Sequence, residues 1–329
     1  MRGTPGSDPG ASVNFMDFSI LKQRQSLPLE AKVAIAKKRI REWMEHWDYE
    51  VFVSYSGGKD STALLKLVRE VEADVPAVFV DTGLEFPEIK SFVNGTPNVT
   101  VVRPRKTFRE VIEQHGYPVV SKDIAKKLKH LQNPTARNLK IRTVILTGKT
   151  PDGEDRSKAN LLSSRYKYLI DAPFKISDYC CDVLKKQPLA RYEKESGRRP
   201  YVGVMASDSR KRTHAYLMNG GCNAYASTHP QSNPLGIWNE QDVLEYLFVT
   251  KTPVASVYGD LERTEEGLRF TGEQRTGCIF CLFGIFMEKE NRFVRLERTH
   301  PKLHAYCMDS LKLREVLGYL KVPCEASSA

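Results

Sequence analysis

The sequence predicts an α/β protein: a Rossmann-like, mostly parallel sheet of five or six strands with helices on both faces, a basic helical insertion and a Cys-rich C-terminal lobe. Three observations predict it. From Glu50 to Gly116, short apolar runs rich in Val and Phe alternate with helical patterns, as parallel strands joined by crossover helices require. The first run passes directly into a glycine turn, "SYSGGKDS". Four cysteines stand in two close pairs, Cys180 with Cys181 and Cys278 with Cys281.

Taken in order, residues 1–26 lack the apolar core of a signal peptide and are expected as a disordered leader. "LPLEAKVAIAKKRIREWMEHW" repeats apolar residues at helical spacing. "EVFVSY" is a buried strand, "KDSTALLKLVREV" a helix and "VPAVFVDTG" a second strand, with a helix from about Glu85. "NVTVVRP" is a third strand and "TFREVIEQHG" again helical. Ser121 to Tyr166 holds 11 Lys or Arg against 4 Asp or Glu and reads as basic helices with a polar loop, an insertion at about 121–175. "RPYVGVMAS" returns to the sheet, and "WNEQDVLEYLFV" is a helix opened by an Asn cap. A main domain is expected over 27–271, and a Cys-rich helical lobe over 272–329 that completes a site with the earlier cysteine pair.

The chain has 329 residues and a net charge of +10, which suits a polyanionic partner such as nucleotide or nucleic acid. No apolar stretch approaches the roughly 18 residues of a membrane span, so no membrane partner is expected and the location reads as cytoplasmic. Seven cysteines without an export signal read as thiols or metal ligands rather than disulfides. No oligomeric state follows from these features.

A glycine turn between strand and helix lets backbone N–H groups converge on an anion at a helix N-terminus. Gly57 and Gly58 supply close approach, Ser56, Ser61 and Thr62 hydroxyl donors, and Lys59 a point charge. The spacing is not the Walker pattern. Asp81 ends the second strand, where α/β sheets place ligands, and its carboxylate is a candidate for ribose or Mg²⁺. Four thiolates bind zinc or an iron–sulfur cluster, and a C-x-x-C turn presents two of them to one centre. Cys222 and Cys307 have no partner at metal spacing and are expected as small buried hydrophobes.

The segment S-G-G-K-D-S resembles the pyrophosphate loop of the adenine nucleotide alpha-hydrolase (PP-loop) superfamily without a mismatch. "FVDTGLEFPE" resembles the second signature of the phosphoadenosine phosphosulfate (PAPS) reductase family within it, and "NPLGIWNEQDVLEYL" its Pro…Trp…Asp-Val helix start, where Trp238 and Asp242 are read as structural. The resemblance implies an adenine nucleotide, ATP with Mg²⁺, held by Ser54, Ser56, Gly57, Gly58, Lys59, Asp60, Ser61, Thr62, Asp81, Thr82, Gly83 and Arg212. The Cys-Cys…Cys-x-x-Cys pattern is similar to that of assimilatory adenosine phosphosulfate (APS) reductases. It implies a 4Fe–4S cluster on Cys180, Cys181, Cys278 and Cys281, with zinc the lesser alternative and Lys185 tuning the cluster electrostatically.

Three classes of function follow. The first is an AMP-forming ATP pyrophosphatase that activates an acceptor for sulfur transfer, with Lys59 and Asp60 catalytic and a sulfur-donor protein as partner. The second is a sulfonucleotide (APS or PAPS) reductase releasing sulfite, in which a tail thiolate attacks sulfur and a thioredoxin-like reductant releases it. Its thiol would be Cys324 in "VPCEASSA", expected to be mobile, whose flanks depart from the family's Glu-Cys-Gly-Leu/Ile-His segment. Two further departures weigh against reduction: the loop keeps its Lys-Asp pair, and the family's Gly-x-Arg-Arg segment reads "GVMASDSRKR". There Gly203, Asp208, Ser209 and Arg212 fit, while Met205 and Ala206 replace the arginines. The third is a non-catalytic nucleotide- and cluster-binding module, whose basic insertion contacts a nucleic acid. The reading adopted is the pyrophosphatase.

Overall fold

The computed structural model describes residues 17–288 and 290–325. In chain order its strands are β1 Val51–Tyr55, β2 Ala77–Val80, β3 Val99–Val102, β4 Val119–Val120, β5 Arg199–Val202, β6 Asn223–Ala224, β7 Gln231–Ser232, β8 Leu261–Thr264, β9 Gly267–Phe270 and β10 Leu282–Phe283. Contacts sort the chain into two interleaved units. The first comprises Met1–Asp81, Phe86–Val102 and Leu189–Thr276; the second comprises Thr82–Glu85, Arg103–Pro188 and Gly277–Ala329. The expected insertion lies within the second unit, and the boundary expected at residue 272 falls close to the passage between units at Thr276.

The first unit is built on a six-stranded sheet in the order β3-β2-β1-β5-β7-β6, parallel except for the β6–β7 pair. β1 is central because it is apolar on both faces: Val51, Phe52 and Val53 are fully buried, flanked in register by β2 and β5. The helix Leu29–His46 covers the sheet through Ala36, Ile40, Trp43 and Met44, the periodic face read from the sequence. Two elements were not foreseen. "LERTEEGLRF" folds as the antiparallel hairpin β8–β9, and β4 pairs in parallel with β10 in the second unit as a separate two-stranded ribbon.

The expected leader requires a correction. Residues 1–16 lie outside the described residues, but Phe18–Gln25 is a helix, capped by the Asp17 carboxylate accepting from Ser19 N–H and anchored by buried Leu21. Lys22 and Arg24 in its last turn complement the helix dipole. The helix expected from about Glu85 begins at Pro87, a residue suited to a first helical position.

Asp242 has the structural role expected of it. It closes a capping box with Asn239 and meets Lys32 Nζ with both oxygens, at 2.8 and 2.7 Å. Lys32 is 2% exposed, and this carboxylate is its counter-ion. Trp238, fully buried against Tyr246 at 5.5 Å, fills the space beside it. Removing one partner of a buried pair leaves the other charge unpaired, so Asp242→Ala is expected to destabilise the protein by about 3–5 kcal/mol. A urea melt reads this as a lowered midpoint.

Candidate nucleotide and thiol sites

The glycine turn lies in the first unit, between β1 and the helix Lys59–Arg69. Gly57 has φ +71°, and a Cβ there would stand 2.8 Å from Ile89 Cγ2 and Val93 Cγ2. Gly203, after β5, leaves room for the Asp60 carbonyl, 3.3 Å from where its own Cβ would lie. Ser56 and Ser61 brace the turn: their hydroxyls lie 3.0 Å apart, Ser56 N–H donates to Ser61 Oγ at 3.2 Å, and Ser61 Oγ donates to Gly58 O at 2.9 Å. Both serines hold the loop's shape, a role beyond the donation expected of them.

Lys59 is 6% exposed, with Nζ 3.1 Å from Glu240, 3.6 Å from Asp60 and 3.2 Å from the Gln274 carbonyl it donates to. Burial works against its charge, but Asp60, Glu240 and Tyr258 outweigh it and raise its pKa, so Lys59 is an ammonium at neutral pH. Burial raises the Asp60 pKa against the pull of Lys59, and Oδ1 of Asp60 is buried with no hydrogen-bond partner among the described residues. At the start of the helix, Lys59 N–H donates to the Tyr258 hydroxyl at 2.9 Å, and that hydroxyl lies 2.7 Å from Thr276 Oγ1. Tyr258, Thr276, Glu240 and Gln274 were not singled out in the sequence, because no local motif marks residues that reach the loop from some 200 positions away.

Ser54 lies in β1 and Thr62 in the first helical turn, as expected. Asp81 follows β2, its Oδ1 2.7 Å from Lys90 Nζ. Arg212 is in the same unit, but its guanidinium is engaged by the Asp208 carboxylate. Thr82 and Gly83 belong to the second unit. There Thr82 Oγ1 donates to Glu85 Oε1 at 2.6 Å and Thr82 N–H to Oε2 at 3.1 Å, closing a turn through Gly83 at φ +77°.

All four candidate cluster cysteines lie in the second unit as free thiols and line one small pocket. Its remaining wall is apolar, from Leu84, Phe108, Pro118 and Leu184, except for Lys185. The helical run from Tyr179 widens into a π-helical turn over Asp182–Lys186, and the four-residue spacing sets Lys185 beside Cys181. β10, paired with β4, and the Cys281 N–H bonding to Cys278 O at 3.1 Å hold the second pair. Phe283 N–H donates to Cys281 Sγ at 3.4 Å.

The thiols share the burden of burial unequally. A hydrogen bond from Cys180, then Lys122 and Lys185, hold Cys181 down at about 6 against burial, while Cys180 keeps its proton. Burial pushes Cys281 up to about 11 and raises Cys278. Lys185 is itself raised, because Cys278, Glu85 and Cys181 outweigh its burial. Among the described residues no three Cys, His, Asp or Glu side chains close on a single metal ion. Cys222 and Cys307 are buried, as expected.

Cys324 departs from the expected mobile thiol. Its carbonyl lies 2.8 Å from His304 Nε2, Asn291 binds the neighbouring Pro323 carbonyl, and Arg314 binds Glu325. Burial and Glu325 raise its pKa, so the thiolate is disfavoured.

A parallel sheet whose central strand ends in this glycine turn at a helix N-terminus is an α/β arrangement suited to holding the phosphates of a nucleotide. Residues 50–149 match the phosphoadenosine phosphosulfate reductase domain family. It is 35% identical over 94 residues to an uncharacterised protein of Methanocaldococcus jannaschii, covering 27% of this chain and 23% of that protein. A second uncharacterised protein of that organism is 23% identical over 266 residues, 77% of this chain and 39% of that protein. A phosphoadenosine 5'-phosphosulfate reductase of Buchnera aphidicola is 36% identical over 63 residues, 19% of this chain and 26% of that enzyme. The chain thus spans between about a quarter and two fifths of these relatives. The crystal structure of a Candida auris PAPS reductase is similar at a TM-score of 0.39 and 14% identity, over 73% of this chain and 90% of that one, a likeness too distant to bear on the reaction.

Gly57→Ala combines a left-handed backbone with overpacking against Ile89 and Val93, and is expected to cost about 2–4 kcal/mol in urea denaturation. Gly83→Ala, with open space around the added methyl, is expected to cost only about 1 kcal/mol.

Proposed function

We propose that the protein is an adenine-nucleotide enzyme of sulfur metabolism, an AMP-forming ATP pyrophosphatase that activates an acceptor for sulfur transfer. The observation that carries this reading is Lys59: a buried ammonium at the first turn of a helix, beside a glycine loop that keeps its Lys-Asp pair. A sulfonucleotide has no β,γ-pyrophosphate for such a pair to cradle. In the proposed reaction an acceptor oxygen attacks the α-phosphorus of ATP, the bond to the β-phosphate oxygen breaks, and AMP passes to the acceptor as pyrophosphate leaves. Lys59, drawn from Glu240 and Gln274 onto the phosphates, stabilises the charge that develops on the leaving group, together with the loop N–H groups. Asp60 and Asp81 are the carboxylates proposed for Mg²⁺, and the buried Oδ1 of Asp60, which accepts no hydrogen bond and lies 3.6 Å from Lys59 Nζ, fits that role.

The second unit fits a 4Fe–4S cluster: four free thiols around a mostly apolar cavity, an amide donating to one sulfur, and the Lys185 ammonium to offset thiolate charge. Bound there, the cluster would supply a place to hold sulfur, while Cys180, Cys181, Cys278 and Cys281 anchor it and Lys185 tunes it. The match to a PAPS reductase domain favours a second reading, a sulfonucleotide reductase with Cys324 as nucleophile and a thioredoxin-like reductant as partner. The raised pKa and tethered backbone of Cys324 count against it.

Anaerobic protein incubated with ATP and candidate acceptors should release pyrophosphate, and Lys59→Ala should slow that release by about 10²- to 10³-fold with the fold intact. Sulfite release from APS or PAPS, lost in Cys324→Ser, would instead establish the reductase. Cys181→Ala is expected to lose the broad visible absorbance and the iron and acid-labile sulfide of the purified protein. Undiminished colour would remove this ligand set.

A further inference from the structure

The second unit carries an aromatic stack that none of the preceding chemistry uses. Tyr117 meets Phe174 edge to face at 5.8 Å, Phe174 meets Tyr319 at 5.5 Å, and Tyr319 stacks on Tyr168 at 5.9 Å with the rings 29° apart. The series runs from half-buried rings to Tyr168, which is 44% exposed, so its last ring faces solvent. Tyr168 lies in the 3₁₀ helix Ser164–Asp171, where residues three apart share a face, and Arg165 stands three positions before it. The Arg165 guanidinium lies over Tyr166 at 5.6 Å and over Phe286 at 6.0 Å. Phe286 is itself exposed, and the adjoining Met287 is 89% exposed.

This ledge is held rigidly. Gln132 Nε2 donates to the Leu169 and Phe174 carbonyls, both at 3.2 Å. Buried Lys127 donates to the Ala159 and Leu161 carbonyls, and Tyr319 Oη to the Tyr168 carbonyl at 3.2 Å. From Ser157 to Lys175 the chain has four Lys or Arg, at Lys158, Arg165, Lys167 and Lys175, against one acid, Asp171. Exposed rings alternating with cations are poorly suited to an apolar protein face, since each ring is flanked by a charge that docking would have to desolvate. They suit an unpaired polynucleotide strand, whose bases stack on rings and whose phosphates meet the cations.

We propose that the ledge of Arg165, Lys167, Tyr168 and Phe286 binds a single-stranded stretch of nucleic acid, with bases stacked on Tyr168 and Phe286 and phosphates at Arg165 and Lys167. Stacking and charge do not read the sugar, so DNA and RNA strands bind alike. A duplex, whose bases are already stacked on each other, offers only its phosphates.

The test is fluorescence anisotropy of the full chain, anaerobic and without ATP, with labelled oligo(dT) and oligo(U) of about 20 nucleotides. The absence of ATP separates this outcome from that of the pyrophosphatase reading. Both strands should bind, with duplex of equal length competing at least about tenfold less well. Tyr168→Ala should weaken binding by about tenfold and Tyr168→Phe leave it near the original value. Arg165→Ala should weaken it and reduce the salt slope by about 0.7. Absence of binding, equal competition by duplex, or equal affinity in Tyr168→Ala and Tyr168→Phe would each overturn the proposal.

Discussion

The first unit depends on the lack of room at one turn. β1 enters Gly57 between the Ile89 and Val93 side chains, and no residue with a Cβ could pass there without moving them. The same geometry aims the N-terminus of the helix Lys59–Arg69 at the loop, so packing of the sheet and presentation of its N–H groups are one requirement. Ser61 shows how little freedom remains: its hydroxyl serves Ser56 and the Gly58 carbonyl together. Buried Lys59 can then keep its charge, because Asp60 and Glu240, both partly exposed, are its counter-ions.

The second unit solves a different problem, four thiols in an apolar cavity. Burial alone would keep them all protonated and poor as ligands. The hydrogen bond from Cys180, with Lys122 and Lys185, reverses that locally at Cys181, and Phe283 N–H supports Cys281. Cys278 and Cys281 remain raised, so occupation of the cavity by a positive inorganic centre would have to draw their protons off. On the proposed reading, loading the cluster would therefore release protons and be favoured by rising pH.

What could be read from the sequence was local or periodic. β1, the glycine turn and the helix after it occupy adjacent positions, and the covering helix Leu29–His46 shows its buried face as a repeat of Ala36, Ile40 and Trp43. Asn239 was legible as a helix cap, to which the structure adds Asp242 as the other half of a capping box. The four-cysteine set could be grouped by spacing, although about a hundred residues separate its pairs, because thiols in close pairs are scarce. Other features had no such signal. Tyr258 and Thr276 meet the loop only through folding, and Glu85 reaches Thr82 as one carboxylate among many. β4 and β10 are two residues each, too short for a period to show. The helix Phe18–Gln25 was missed because its sequence has little apolar patterning and rests on one cap and one buried Leu.

The treatment of charge separates the two readings of the reaction. A reductase needs an exposed, reactive thiolate, which calls for nearby cations and a mobile segment. Around Cys324 the immediate charge is Glu325, whose carboxylate raises the thiol, and Arg314, which would oppose it, is engaged by that carboxylate and by Asp309 at 3.5 Å. The tail is fastened through backbone carbonyls at Pro323 and Cys324, which fixes the segment that a nucleophile would have to swing. Lys59 has the reverse arrangement: its charge is secured and its partners are a carbonyl and carboxylates that a polyphosphate with Mg²⁺ can replace. The chain has secured a buried positive charge beside the glycine turn, and has let Glu325 take up the cation nearest its tail thiol.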